Sequence, residues 1–169
     1  MLKVLVPIDG SPNALRALRH AMAEYHRHHE LELHLLNVQP HLSRHVAHFV
    51  SRHDRDAWHR DQAEAAMASA RALLTQADIP HQTHWAVGDR AREICRHAEQ
   101  LQAHHIVMGT ARSNSITRML EDSVTDHVLE NTPVPVEVVS GDAVSKLERW
   151  GLPIGLFSLL GGLAWMAVD

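Results

Sequence analysis

VGDRAREICRHAEQLQAHHIVMGTARSNSITRMLEDSVTDHVLENTPVPVEVV, residues 87–139, decides the fold. Gly88 and Asp89 open an amphipathic helix, and Ile106, Val107, Met108 and Gly109 read as a buried strand that ends at a turn. A polar loop, a second helix and the strand VPVEVV complete the stretch. Helix, strand, helix and strand in this order form half of a doubly wound α/β domain.

The N-terminal half matches it. In LKVLVPIDGSPNALRALRHA, residues 2–21, Val4, Leu5, Val6 and Ile8 form a short apolar run, and Ser11 followed by Pro12 is a helix cap with proline in the first turn. Leu15, Leu18, Met22 and Tyr25 recur at spacings of three and four, which marks one core-facing stripe. LELHLLNV reads as a second strand, the region from about Ser43 to Ala77 as helical, and HQTHWAV as an alternating strand. The order β-α-β-α-β-α-β-α-β predicts a parallel sheet covered on both faces. In such sheets a ligand sits beyond the carboxyl ends of the strands, where the strand order reverses.

These residues resemble the universal stress protein family over residues 1–141. The resemblance rests on Asp9, Gly10 and Ser11 after the first strand, on IVMG at 106–109 before a phosphate loop, and on PVPVEVV as the terminal strand. It implies a five-stranded parallel, Rossmann-like sheet whose order reverses between the first and fourth strands, so that Asp9 and Gly109 face one crevice. It also implies adenine-pocket positions at Asp9, Val38 and Met108, further ligand contacts from Gly109, Thr110, Arg112 and Ser123, and a homodimer through the strand at 134–139.

At the phosphate loop the chain departs from that family. Members that bind ATP carry a glycine after the strand, another three residues on, and a third, followed by serine or threonine, ten residues later. Here these positions are Gly109, Arg112 and Asp122, with Ser123 retained. Glycine lets a backbone approach phosphate closely, and neither replacement does so freely. Glu121 and Asp122 also stand where a helix N-terminus would point its amides at phosphate oxygens. Two unit charges about 4 Å apart repel by roughly 4 kcal/mol at an effective dielectric of 20. Arg112 would offset part of this by pairing with phosphate or with the acids. In the alternative reading Asp122 or Ser123 caps a helix from Val124 to Glu130, with Asp126 completing a capping box. Either way the expectation is weak ATP binding, with an AMP or adenosine site left open and no cofactor assured.

Composition excludes other classes. A formal charge of −4 with no basic helix face provides no footprint for nucleic acid, and no secretory leader is read at the N-terminus. Cys95, the single cysteine, shares a helical face with Ala91, Ile94, Ala98 and Leu101, so it reads as a small buried hydrophobe. Sixteen histidines are unusual. His41, His45 and His48 have zinc-ligand spacing if their segment is helical, but Arg44, Arg52 and Arg55 flank them and no acid or cysteine partner is fixed nearby. No metal site is assigned, and the histidines read as a titratable surface. No catalytic constellation can be placed in the crevice, so no enzyme is assigned.

The C-terminus falls outside the resemblance. A polar linker, 142–149, leads to a hydrophobic helix, 150–169, whose residues 151–168 carry no charge over about 27 Å. Trp150 and Trp165 lie near its ends, and Lys146 and Arg149 precede it, which predicts a single-pass membrane anchor with a cytoplasmic N-terminal domain. Gly151, Gly155, Ser158 and Gly162 line one face, suited to packing on an integral membrane partner. The alternatives fit less well: an in-plane helix needs a polar face, and a buried helix needs a cleft the domain does not supply. The sequence therefore predicts a non-catalytic stress or regulatory domain tethered to a membrane, an accessory subunit of a transporter or another membrane complex. Two alternatives are a soluble, adenine-nucleotide-binding dimer and a nucleotide-hydrolysing enzyme.

Overall fold

Val4, Leu5, Val6 and Ile8 are essentially fully buried because the first strand lies in the middle of the sheet. The computed structural model describes residues 1–28, 30–43, 49–110 and 118–140, with 118–123 described by backbone alone. Its elements are β1 (Leu2–Pro7), α1 (Pro12–Arg27), β2 (Leu31–Gln39), α2 (Arg52–Gln76), β3 (His81–Val87), α3 (Arg90–Leu101), β4 (His105–Thr110), α4 (Arg118–Asn131) and β5 (Val136–Ser140). All strand pairs are parallel, in the order β3-β2-β1-β4-β5. The order therefore reverses between β1 and β4, as expected, and β5 forms one edge.

Strand alternation divides the core in two. Val4, Val6, Leu33, Leu35 and Val107 point to one face, where they meet Ala17 and Leu18 of α1 and Ala63, Met67 and Leu74 of α2. Leu5, Leu36, Ile106 and Met108 point to the other, against Ile94 and Ala98 of α3 and Val128 of α4. The central strands β1, β2 and β4 bury both faces, which is why their runs are largely apolar, whereas the edge strands β3 and β5 stay partly exposed. Cys95 lies in this second cluster, where burial pushes its thiol pKa up, so it behaves as a core residue.

Two helix starts differ from expectation. Phe49 is helical, but Val50 and Ser51 interrupt the expected helical region and α2 begins after Ser51, whose Oγ accepts from the Asp54 N–H at 3.2 Å; residues 41–43 are not helical, and 44–48 lie outside the described residues. The cap and an acidic first turn place the start there. His41 thus lies on no helical face, and His45 and His48 fall outside the described residues. Helix α4 begins at Arg118, six residues before Val124, so Asp122 and Ser123 lie within it and do not cap it. Arg118, Met119, Leu120 and Glu121 are strong helix formers that extend the helix backwards. The linker and the hydrophobic tail with Gly151, Gly155, Ser158 and Gly162 lie outside the described residues. Among the described residues no helix is long and apolar enough to cross a membrane.

Under α3 the sheet carries a histidine pair. His34 is 2% exposed, and its Nδ1 lies 3.0 Å from Nε2 of His84, with the rings stacked at 5.2 Å. Burial lowers the pKa of His34 despite the nearby Glu32, and burial together with His34 and His97 lowers that of His84. The unfolded chain therefore binds more protons than the folded one below about pH 6.5. The stability these residues contribute is full above that value and is lost as pH falls toward the depressed folded-state values. The urea midpoint should drop between pH 7.5 and 5.5, and it should drop less in a His34→Leu variant. An equal drop in both would remove His34 as the cause.

Candidate functional site

The crevice opens where the strand order reverses. Pro7, Ile8 and Asp9 at the end of β1, Leu36 and Val38 of β2, and Met108 and Gly109 of β4 form its sheet side. Ser11, Asn13 and Ala14 at the start of α1, Arg90 and Ile94 of α3, and Val124 and Thr125 of α4 close it. Ile8, Leu36, Val38, Ile94, Met108 and Val124 give it an apolar lining, joined by the polar Asp9, Ser11, Asn13, Arg90 and Thr125, a composition that suits a flat organic ring with a polar end.

Local geometry positions the polar groups. Gly10 adopts φ 85°, a left-handed turn that glycine adopts without steric cost and that redirects the chain from β1 into α1. Asp9 is fixed in this turn because its Oδ1 accepts from the Ser11 N–H at 2.9 Å. Ser11 Oγ in turn accepts from the Ala14 N–H at 3.1 Å and caps α1. The positive end of the α1 dipole thus borders the crevice. Asn37, 2% exposed, holds the end of β1 from behind: its Nδ2 donates to the Ile8 carbonyl at 2.7 Å, while its Oδ1 accepts from Gln39 Nε2 at 2.7 Å. Arg90, the first residue of α3, lines the same crevice as Asp9 and brings a positive charge to it.

Gly109 has a packing role the phosphate-loop pattern does not reveal. A methyl group there would overlap the carbonyl oxygen and carbon of Asn13 and lie 3.1 Å from the Ala14 nitrogen. Only glycine lets the first turn of α1 press against the end of β4, and this contact sets the width of the crevice.

Of the residues singled out by sequence, Asp9, Val38, Met108 and Gly109 converge on the crevice. Thr110 ends β4 beside them but does not line it. Arg112 and the side chain of Ser123 lie outside the described residues. Arg90 and Thr125 were not anticipated, nor was the brace made by Asn37. An arginine directly after a helix-capping Asp89 was the available signal for Arg90, since such a residue sits at a strand's carboxyl end.

The sequence profile of the universal stress protein family matches residues 1–140. Universal stress protein MJ0531 of Methanocaldococcus jannaschii is 27% identical over 143 residues, covering 81% of this chain and 81% of that protein. Among solved structures, hypothetical protein MJ0577 superposes with a TM-score of 0.69 at 26% identity, covering 85% of this chain and 98% of that one. A universal stress protein family protein from Arabidopsis thaliana, solved with AMP bound, shares the fold with a TM-score of 0.63 at 16% identity, covering 85% and 94%.

Proposed function

The chain belongs to the universal stress protein family, and we propose that it acts there as a non-catalytic regulatory domain that binds AMP or adenosine, in preference to ATP, in the crevice between β1 and β4. The observation that carries this reading is the convergence of Asp9, Val38, Met108 and Gly109 on one largely apolar lining that Arg90 shares. Val38 and Met108 offer surfaces for the base, and the Asp9 carboxylate accepts hydrogen bonds from an amine or ribose hydroxyl. Arg90 pairs with a single phosphate in a charge-assisted bond. The AMP held by the Arabidopsis protein on the same fold supports the ligand class. Discrimination against ATP rests on Arg112 and Asp122, which replace two glycines of the phosphate loop.

Calorimetry of the full chain tests this. AMP and adenosine should bind more tightly than ATP, and Arg90→Ala should weaken AMP about tenfold, the scale of one charge-assisted bond at an exposed rim, while leaving adenosine unchanged. Absence of AMP binding at millimolar concentration would sink the reading, and equal losses for AMP and adenosine would take Arg90 off the phosphate.

The uncharged run 151–168 supports a further component, a tether that docks through Gly151, Gly155, Ser158 and Gly162 on an integral membrane protein. Self-association through β5 is its companion, because β5 is an edge of the sheet among the described residues. Full-length protein should pellet with membranes and resist a high-salt wash. Recovery in the supernatant would remove the tether and leave the nucleotide reading standing.

A further inference from the structure

We propose that His20, Glu24 and Glu137, none of which lines the crevice, form a site for one divalent transition-metal ion of the zinc class on the face of the sheet covered by α1. His20 and Glu24 lie one helical turn apart on α1, and Glu137 projects from the start of β5 toward them. Nε2 of His20 is 2.6 Å from Oε1 of Glu137 and 3.9 Å from Oε1 of Glu24, and one ligand atom from each residue lies within 4.8 Å of the other two. A tetrahedral zinc ion with bonds of about 2.0–2.2 Å separates its ligand atoms by roughly 3.3 Å. The observed separations straddle that value, so small rotations of two long carboxylate side chains complete the geometry.

Three further observations favour a cation over a simple ion pair. Nε2 of His20 is buried as an atom and makes no well-aimed hydrogen bond, although a carboxylate oxygen stands beside it. Two carboxylates flank one imidazole, so the cluster supplies two anionic oxygen ligands and one nitrogen, a donor set that a divalent ion satisfies. His105, at the start of β4, places its Nε2 3.6 Å from the other oxygen of Glu24, where it can orient that ligand. The three residues are roughly one-quarter to two-fifths exposed, so an ion has an entry path and water can take the fourth position. A mixed imidazole and carboxylate set selects zinc-like ions over magnesium. The site contains none of His41, His45 and His48.

Zinc titration of the full chain, followed by calorimetry and by the visible bands of substituted cobalt, tests the site. One equivalent should bind at micromolar concentration or tighter and raise the thermal midpoint, with no competition from millimolar magnesium. His20→Ala and Glu137→Gln should each weaken that equivalent at least tenfold and abolish the tetrahedral cobalt bands, whereas His26→Ala, on the same helix, should change neither. Glu137→Gln preserves the shape of the side chain, so it decides the matter if His20→Ala folds poorly. A tight equivalent that survives Glu137→Gln, or no micromolar equivalent in the parent chain, would overturn the proposal and leave a protonated His20–Glu137 ion pair.

Discussion

Gly109→Ala should destabilise the domain by about 3 kcal/mol or more, at or above the upper end of the cost of overpacking a filled site. The added methyl would overlap backbone atoms of Asn13, and backbone cannot swing aside as a flexible side chain does. Relief requires the start of α1 to lift from β4, yet Ala14, Ala17, Leu18 and Ala21 hold that helix on the sheet in a fully packed face. A loss of that size lowers the thermal midpoint by roughly 6–12 °C in a chain of this length. The same displacement moves Asn13 and Ala14, which line the crevice, so AMP binding should be lost in any fraction that remains folded. A variant with the parental midpoint would show that α1 and β4 do not meet this closely.

Asn37→Asp should be nearly as severe at neutral pH although the two side chains share a shape. The amide donates to the Ile8 carbonyl from a site that is 2% exposed. A carboxylate there would set one acceptor against another and bury an unpaired charge, a loss of about 3–5 kcal/mol. Asn37→Ala, which removes the donor but adds no charge, should cost about 1–3 kcal/mol. Urea denaturation at pH 7.5 should therefore rank the parent above the alanine variant and the alanine variant above the aspartate variant. AMP affinity should fall alongside, because Asn37 braces the end of β1 that carries Asp9. An aspartate variant with an unchanged midpoint would show that the amide is not a structural donor.

The parts of the site visible in sequence are those whose chemistry is local. Asp9, Gly10, Ser11 and Pro12 form a strand end, a turn and a cap within four residues, and Met108 and Gly109 form another strand end, so their placement follows from short-range pattern. That these strand ends, and Val38 near the end of the second strand, share one crevice came from the resemblance to the family. Arg90, Thr125 and Asn37 are not visible in this way, because each reaches the crevice or its support through a partner far along the chain. The break at Val50 and Ser51 before α2 and the early start of α4 are not legible for a related reason: helix ends depend on which of several local caps the tertiary contacts retain. The histidines show the contrast most clearly. Spacing points to His41, His45 and His48, of which the last two lie outside the described residues, whereas His34 meets His84 and His20 meets Glu137 across the fold without any signal in their spacing.

By itself the sequence determined the alternation of strands and helices and the burial of the central strands, because apolar periodicity and turn chemistry act over a few residues at a time; the reversal beside β1 came only through the resemblance to the family. Only the tertiary structure decided that Gly109 must be glycine for the sake of α1, that Asn37 braces β1, and that Arg90 lines one crevice with Asp9. It likewise brought Glu137 beside His20, which is 117 positions away in the chain. Parallel pairing joins strands that are distant in sequence and stacks helices across them, so the neighbours of a side chain are set by strand order and register, which no local window of residues contains.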